Sequence, residues 1–510
     1  MIKTLSRIFH SAYFLVLLAV ITAVCATLCG NRLELPLGLA EYDPVSIPAG
    51  AFLLLAAGYG YYIFSKGRAD LSRKQINILY AAAALLITAV QIFIIFELKN
   101  IPTSDSRFID NAARAYAQGR DFSDAVQATE KHTTYFYQFP NNWAVLMILS
   151  VLYKAVYAVM GEIPVYAAGL LNTAFIQLGL FFMFRCARLI FKDNRKTALC
   201  IILMLGYAPL YTYSCYFYTD SVSMPFVSAA VYLIIKTVKA ESTKGFFGLC
   251  AAASAVTAAG YSVKGSLAVI IIASIIYLAA NVPVKRSIPA AAMLLAVTVI
   301  FNSVVIHGIA IGSGIATEEK LDTYRFPMTH WVMMGLKDEG GFDVDDHNFT
   351  KYQPDYETRR KESIRVIKER ISESSAEDMS LHIFKKLGFT WGDGTYYIKN
   401  HIRSARDGTL KYIIGKGTKA LIYFQSYHLM IILAMSFSVL GGIRKGGKSS
   451  MSYIRLAVFG ITVFLLIWET RSRYLFNFIP LMLIMAADGI AYAASAAEKI
   501  LNKRKDPQIF

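Results

Sequence analysis

Residues 76–96 read INILYAAAALLITAVQIFIIF, an apolar run without a single charge. As an α-helix at about 1.5 Å per residue it covers roughly 30 Å, the thickness of a bilayer's hydrocarbon. Similar runs recur outward in both directions, most cleanly at Ser11 to Cys29, Ile47 to Phe64 and Ile288 to Ile306. The whole series predicts helices near 11–30, 47–65, 76–97, 141–160, 164–190, 197–213, 220–239, 246–262, 266–280, 287–307, 418–440, 453–469 and 474–496. The expected fold is an all-α polytopic membrane protein with about thirteen transmembrane helices. It sits as a multi-pass protein in the cell membrane.

Composition supports this: 510 residues, 55% hydrophobic and 17% charged, with mean hydropathy +0.45, exceed what one water-soluble core absorbs. A net charge of +17 in a soluble protein would suggest nucleic acid. Here the basic residues fall in short clusters between apolar runs: Lys3 with Arg7, Lys66 to Lys74, Arg185 to Lys196, Lys236 to Lys244, Lys285 to Arg286, Arg444 to Lys448 and Lys499 to Lys505. Such clusters mark cytoplasmic loops, so no nucleic-acid partner is expected. The six cysteines lie in or beside apolar runs, which predicts no disulfide framework. The first run reads as an uncleaved helix, because Leu28 is too large for the position before a lipoprotein cleavage site at Cys29.

Two polar stretches are long, Lys99 to Gln138 and Gly308 to Gly417, and alternation from a cytoplasmic N-terminus puts both outside. The chain divides into N-terminal helices over 1–75, a transmembrane core over 76–307 with its first outer loop at 98–140, a large extracytoplasmic loop over 308–417, and C-terminal helices with a cytoplasmic tail over 418–510. One conflict arises: three apolar segments separate Asp105 from Asp220, and three crossings cannot return to the same side. The first of the three, from Asn141, is expected to be partial or re-entrant, since irregular backbone at membrane depth is tolerated under protein cover. In the large loop, Ile364, Ile367 and Ile371 share a helical face and Leu381 to Leu387 is amphipathic. Either rests on the bundle, on the membrane interface, or in a small core of the loop's own.

Chemistry concentrates at predicted outer helix ends, where polar groups beside hydrocarbon are costly and imply a shared cavity. Pro102-Thr103-Ser104-Asp105 follows the third helix, with Asp110 a turn later. Asp105 reads either as the cap of a helix starting near Arg107 or as a base for a sugar hydroxyl. Tyr137, Asn141 and Asn142, within Tyr135 to Trp143, read as an interfacial aromatic belt or as a sugar-binding surface. Asp220 sits in an acidic turn before Pro225 and suits an N-cap, a metal, a ribose-like hydroxyl pair or a cationic partner. Lys264 stands against the positive-inside trend, and with Arg471 and Arg473 it suits a phosphate, with a salt bridge to Glu469 as the plain alternative for Arg471. Tyr474 follows.

In their order these motifs resemble the GT-C superfamily of membrane glycosyltransferases, in its protein mannosyltransferase-like and aminoarabinose-transferase-like (glycosyltransferase family 39-like) branch. The resemblance rests on Pro102 to Asp105, Phe139-Pro140-Asn141-Asn142, Tyr218-Thr219-Asp220, Gly260 to Lys264, and Arg473-Tyr474-Leu475 with Pro480, over about Ile76 to Ala497. Ser106 stands where the branch has a second acidic residue, leaving Asp110 as its substitute. What the resemblance implies is a GT-C-like bundle and inverting transfer of a monosaccharide from a polyprenyl-phosphate donor to a glycan, lipid or protein acceptor outside the cytoplasm. It implies Asp105 as base, Asp220 orienting acceptor or sugar, and Lys264, Arg471 and Arg473 holding the lipid phosphate, with Arg325, His330 and Trp331 of the large loop covering the site. No cofactor is required by this scheme, although a divalent cation on Asp105 or Asp220 is compatible with it. Two other classes fit a helical bundle with a large outer loop: a polysaccharide polymerase or ligase, and a transporter or flippase of lipid-linked sugars.

Overall fold

A computed structural model describes residues 2–33, 43–67, 71–127, 134–447 and 449–505; Arg68 and Lys448 of the basic clusters lie outside them. The described chain is helical throughout and spans a membrane many times. Its long helices are α1 (Ile2–Leu33), α2 (Ser46–Lys66), α3 (Arg73–Leu98), the short α4 (Asp105–Ala117), α5 (Trp143–Met160), α6 (Ala167–Ile190), α7 (Asn194–Gly206), α8 (Met224–Val238), α9 (Thr243–Val263), α10 (Ala268–Asn281) and α11 (Val284–Gly312). After the large loop, which carries α12 (Tyr356–Glu373), α13 (Ala376–Trp391) and α14 (Thr409–Lys416), come α15 (Thr418–Lys445), α16 (Ser450–Ile467) and α17 (Ile479–Lys505). Among the described residues eleven helices are long and apolar enough to cross a membrane, a twelfth is a pair bent by 60°, and Gly265–Asn281 is a shorter apolar helix. These coincide with the thirteen expected segments.

Helix starts follow local chemistry. Ser72 accepts from the Gln75 amide at 3.2 Å and its own amide donates to Gln75 Oε1 at 2.8 Å, a reciprocal cap that opens α3. Large apolar side chains remain outside the packed interior, among them Phe52, Leu55, Tyr59 and Leu85, each more than two-thirds exposed. In water such a girdle would drive aggregation; against lipid it is the natural outer surface.

The basic clusters meet at one end of the bundle. Arg195 donates to the carbonyls of Ser65 and Gly67, Lys66 pairs with Glu498 at 2.6 Å, Lys196 with Asp488 at 3.3 Å, and Arg188 reaches Asn77. The opposite end is closed by loop contacts: Asn100 donates to the carbonyls of Cys215 and His401, and the Arg406 amide to Leu98.

The topological conflict resolves at α5. Its start is held near Tyr135 and Tyr218 through Asn142, and just past its end the Ile163 carbonyl accepts from Arg114 of α4. Tyr166 then stacks near Phe96, so the chain enters α6 at the end of α3 that it left. Helix α5 lies beside α4 and makes no net crossing, as expected for the first of the three segments. The third segment does cross, broken between Gly206 and Pro209, and Cys215 arrives beside Asn100. With α5 set aside, twelve described segments alternate between the two ends and return every basic cluster to the same one.

In the large loop α13 rests on the bundle: Gly388 packs directly on Thr27 and Ala23 of α1, and Trp391 is fully buried. Helix α12 packs instead within the loop, where Arg370 binds both oxygens of Asp346 at 2.7 and 2.8 Å. All six cysteines are unpaired.

Candidate functional site

At the end opposite the basic clusters a cavity of about 320 Å³ is lined by Asp105, Tyr135, Phe139, Asn141, Asn142, Tyr218, Trp331, His401, Glu469, Arg471, Arg473 and Tyr474, among others. Each comes from a helix end or break. Helix α4 starts at Asp105 itself, after Ser104 takes a positive φ of 50°, and no side chain caps it. The Asp105 carboxylate is therefore free of the capping role; it stands 40% exposed in the cavity wall, 3.7 Å from Arg473. A non-glycine residue in that backbone region costs about 1–3 kcal/mol.

Beneath the cavity floor Asp220, fully buried, is bound through Oδ1 by Lys264 and through Oδ2 by Arg473 at 3.3 Å. Lys264 ends α9 in extended backbone and lies 4.6 Å over the Tyr474 ring. The close turn that returns the chain into α10 requires Gly260, since a Cβ there would overlap Leu267 and come within 2.6 Å of Phe226. Arg473 is thus the bridge between two aspartates, with its guanidinium also 5.1 Å over Tyr218 and 5.0 Å over Tyr474. The Tyr474 hydroxyl donates to Glu469 at 2.6 Å, and Arg471 reaches the other Glu469 oxygen only at 4.0 Å while covering Tyr397. Arg471 is the more loosely held of the two arginines.

Aromatic and amide groups form the walls. Tyr218 donates to Asn142 at 3.2 Å, and Asn142 donates to the Tyr135 hydroxyl at 2.8 Å. Trp331 stacks on Trp468 with rings 5.7 Å apart, and the Glu469 amide donates to the Trp331 carbonyl, which fastens the large loop over the site. Burial raises the Glu469 carboxyl above its ordinary range, against the opposing pull of Tyr474 and the two arginines. Burial and the charges of Arg473 and Arg471 push His401 well below its usual value, so it stacks on Tyr216 as a neutral ring.

Most of the expected site residues converge here, but with altered parts. Asp105, Asn141, Asn142, Arg471, Arg473 and Tyr474 line the cavity, and His330 and Trp331 cover it. Asp110 does not join them: buried between α4 and α5, it binds Arg114 at 2.7 Å and the Tyr153 hydroxyl, so it holds the two helices together and offers no second carboxylate. Tyr137 also points elsewhere, accepting from Lys320 at 3.2 Å. Arg325 lies over Tyr356, 4.2 Å from the ring centre. Lys264 and Asp220 pair with each other behind the wall, and the second Asp220 oxygen faces Arg473. Among the described residues no group of three or more His, Cys, Asp or Glu is arranged for a metal ion. The sequence reading missed His401, Tyr397, His347 and Glu469 as lining groups; for Glu469, its place two residues before Arg471 was a usable signal.

Fold and site together define a polytopic helical membrane protein with a charged, aromatic-walled cavity at the end away from its basic loops. The chain belongs to the family described as conserved hypothetical integral membrane protein, whose model matches residues 45–494. No curated protein matches it. Among solved structures it is similar to the crystal structure of ArnT from Cupriavidus metallidurans bound to undecaprenyl phosphate, at 10% identity over 85% of this chain and 80% of that one, with a TM-score of 0.32, too slight a likeness to carry residue assignments.

Proposed function

We propose that the chain is an inverting glycosyltransferase that moves a monosaccharide from a polyprenyl-phosphate donor to an acceptor on the outer face of the membrane. The observation that carries this reading is the meeting of Asp105 with Arg471 and Arg473, from opposite ends of the chain, in one cavity with aromatic and amide walls. The order of motifs described above supports it. Sidedness follows from charge: the basic end faces the cytoplasm, so the cavity faces outward.

In this scheme Asp105 takes the proton of an acceptor hydroxyl as its oxygen attacks the anomeric carbon, and the bond from that carbon to the phosphate oxygen breaks. The leaving polyprenyl phosphate carries its own charge and needs no general acid; Arg471, loosely held by Glu469, meets it, and Arg473 supports from the Asp220 side. Tyr216, Tyr218 and Trp331 offer faces to the sugar. Lys264 and Asp220 act one layer back, fixing Arg473 and Tyr474.

The test is transfer by purified protein from a panel of polyprenyl-phosphate monosaccharides. Asp105→Asn is expected to lower turnover about 10²- to 10⁴-fold, the usual worth of a positioned base, with the fold intact by circular dichroism. Full activity in Asp105→Asn removes the base, and donor flipping without transfer removes the transferase.

A further inference from the structure

A second cavity lies at the basic end, far along α17 from the first. It has a volume of about 570 Å³ and is lined by Lys196, Arg444, Lys445, Arg455 and Lys499, with Asp488 as its one carboxylate. Asp488 is already satisfied: Arg455 reaches it at 2.9 Å, Lys196 at 3.3 Å and Ser438 at 2.8 Å. Arg455 is the unusual member. It stands inside the apolar helix α16 and is nearly fully buried, with its Nε on Ser438 and its Nη1 on His10. An ionised group at that depth is costly, and its pairing with Asp488 is what holds it there.

The backbone makes room for it. A Cβ at Gly442 would lie 2.6 Å from Arg455 Nη1, and Gly446 and Gly447 turn the following loop with φ of 57° and 102°. Helices at this end also expose apolar side chains, Leu5 and Ile8 on α1 and Ile500 and Leu501 on α17. Positive charge beside exposed apolar surface is the chemistry of an anionic lipid rather than of a soluble anion.

We infer that this cavity binds the phosphodiester headgroup of an anionic phospholipid, with Arg444, Lys445 and Lys499 at the rim and the Arg455–Asp488–Lys196 cluster as its floor. The inference stands apart from the transferase reading, whose residues all lie at the other end.

The experiment is native mass spectrometry of the detergent-purified full chain titrated with phosphatidylglycerol or phosphatidylcholine, for wild type and the triple variant Arg444→Ala, Lys445→Ala, Lys499→Ala. These three side chains are exposed, so the variant is expected to fold. Wild type should retain phosphatidylglycerol over phosphatidylcholine by at least about tenfold, and the triple variant should lose that preference, because each surface cation contributes appreciably to anionic-lipid binding. Gly442→Ala, which displaces Arg455, should weaken retention with the rim intact. Equal retention of the two lipids, or an unchanged preference in the triple variant, overturns the site. Displacement of the lipid by millimolar inorganic phosphate overturns the lipid as occupant in favour of a soluble anion.

Discussion

Remove the carboxylate of Asp220, and Lys264 and Arg473 lose the buried partner they share. Breaking one partner of a buried pair leaves an uncompensated charge, at a cost of about 3–5 kcal/mol, whereas removing both ends is far milder. Asp220→Asn and Lys264→Met are each expected to lower the melting temperature in detergent, and the double variant to recover much of the loss. A double variant no better than the worse single would end the claim that they act as a pair. Lys386 on α13 makes a second case at this scale. Burial pushes its amine down to about 7 from an ordinary value of 10.5, although Glu469 pulls the other way. Between pH 7 and 10.5 the unfolded chain holds a proton there that the folded chain has lost, so the stability cost of this lysine is full below pH 7 and fades as pH rises. Melting curves from pH 6 to 10 should show Lys386→Met most favoured relative to wild type at the acid end, with the difference shrinking toward pH 10. A constant difference would show that Lys386 does not titrate in this window.

Helix α5 has the length and composition of a membrane span, and what denies it that role is packing. Asp110, Arg114 and Tyr153 fasten it along α4, and Arg114 also donates to the carbonyl of Ile163 beyond its end. Single cysteines introduced at Gln118, Glu162 and Lys192, all exposed, measure this directly in a background without reactive native cysteines. A membrane-impermeant maleimide should label positions 118 and 162 from one side and position 192 from the other. Labelling of 162 from the side opposite to 118 would make α5 a true crossing. The break after Gly206 is a second feature of this scale: it points Tyr207 inward, to the Tyr396 hydroxyl at 2.6 Å and His428 at 2.9 Å, tying the transmembrane bundle to the large loop.

Across the whole molecule charge and hydropathy divide the labour. All thirteen apolar segments were legible, because a run of apolar residues long enough to cross hydrocarbon is a one-dimensional signal; whether each run crosses was not, as α5 shows. The clustering of basic residues at one end was equally legible, and parity of crossings alone required one of three segments to fail. The candidate site was legible in part. Asp105, Asn142, Arg471 and Arg473 announced themselves as polar groups at helix ends, where desolvation makes them costly. Their roles were not, since a charge's role depends on its neighbours. Lys264 reads in sequence as a lone cation and is in fact spent on Asp220, 44 residues away. Asp110 reads as a spare carboxylate and is taken by Arg114 and Tyr153. His401 and Tyr397 lie in a loop whose sequence carries no sign of the cavity, and only the return of that loop to Asn100 and Arg471 brings them in. The sequence by itself determined the membrane class, the number of apolar segments and the end at which chemistry gathers, because burial in lipid is settled residue by residue. Tertiary structure alone decided which segment stays at the surface, which charges cancel and which face the cavity, because those depend on pairs of groups that the chain brings together only when it packs.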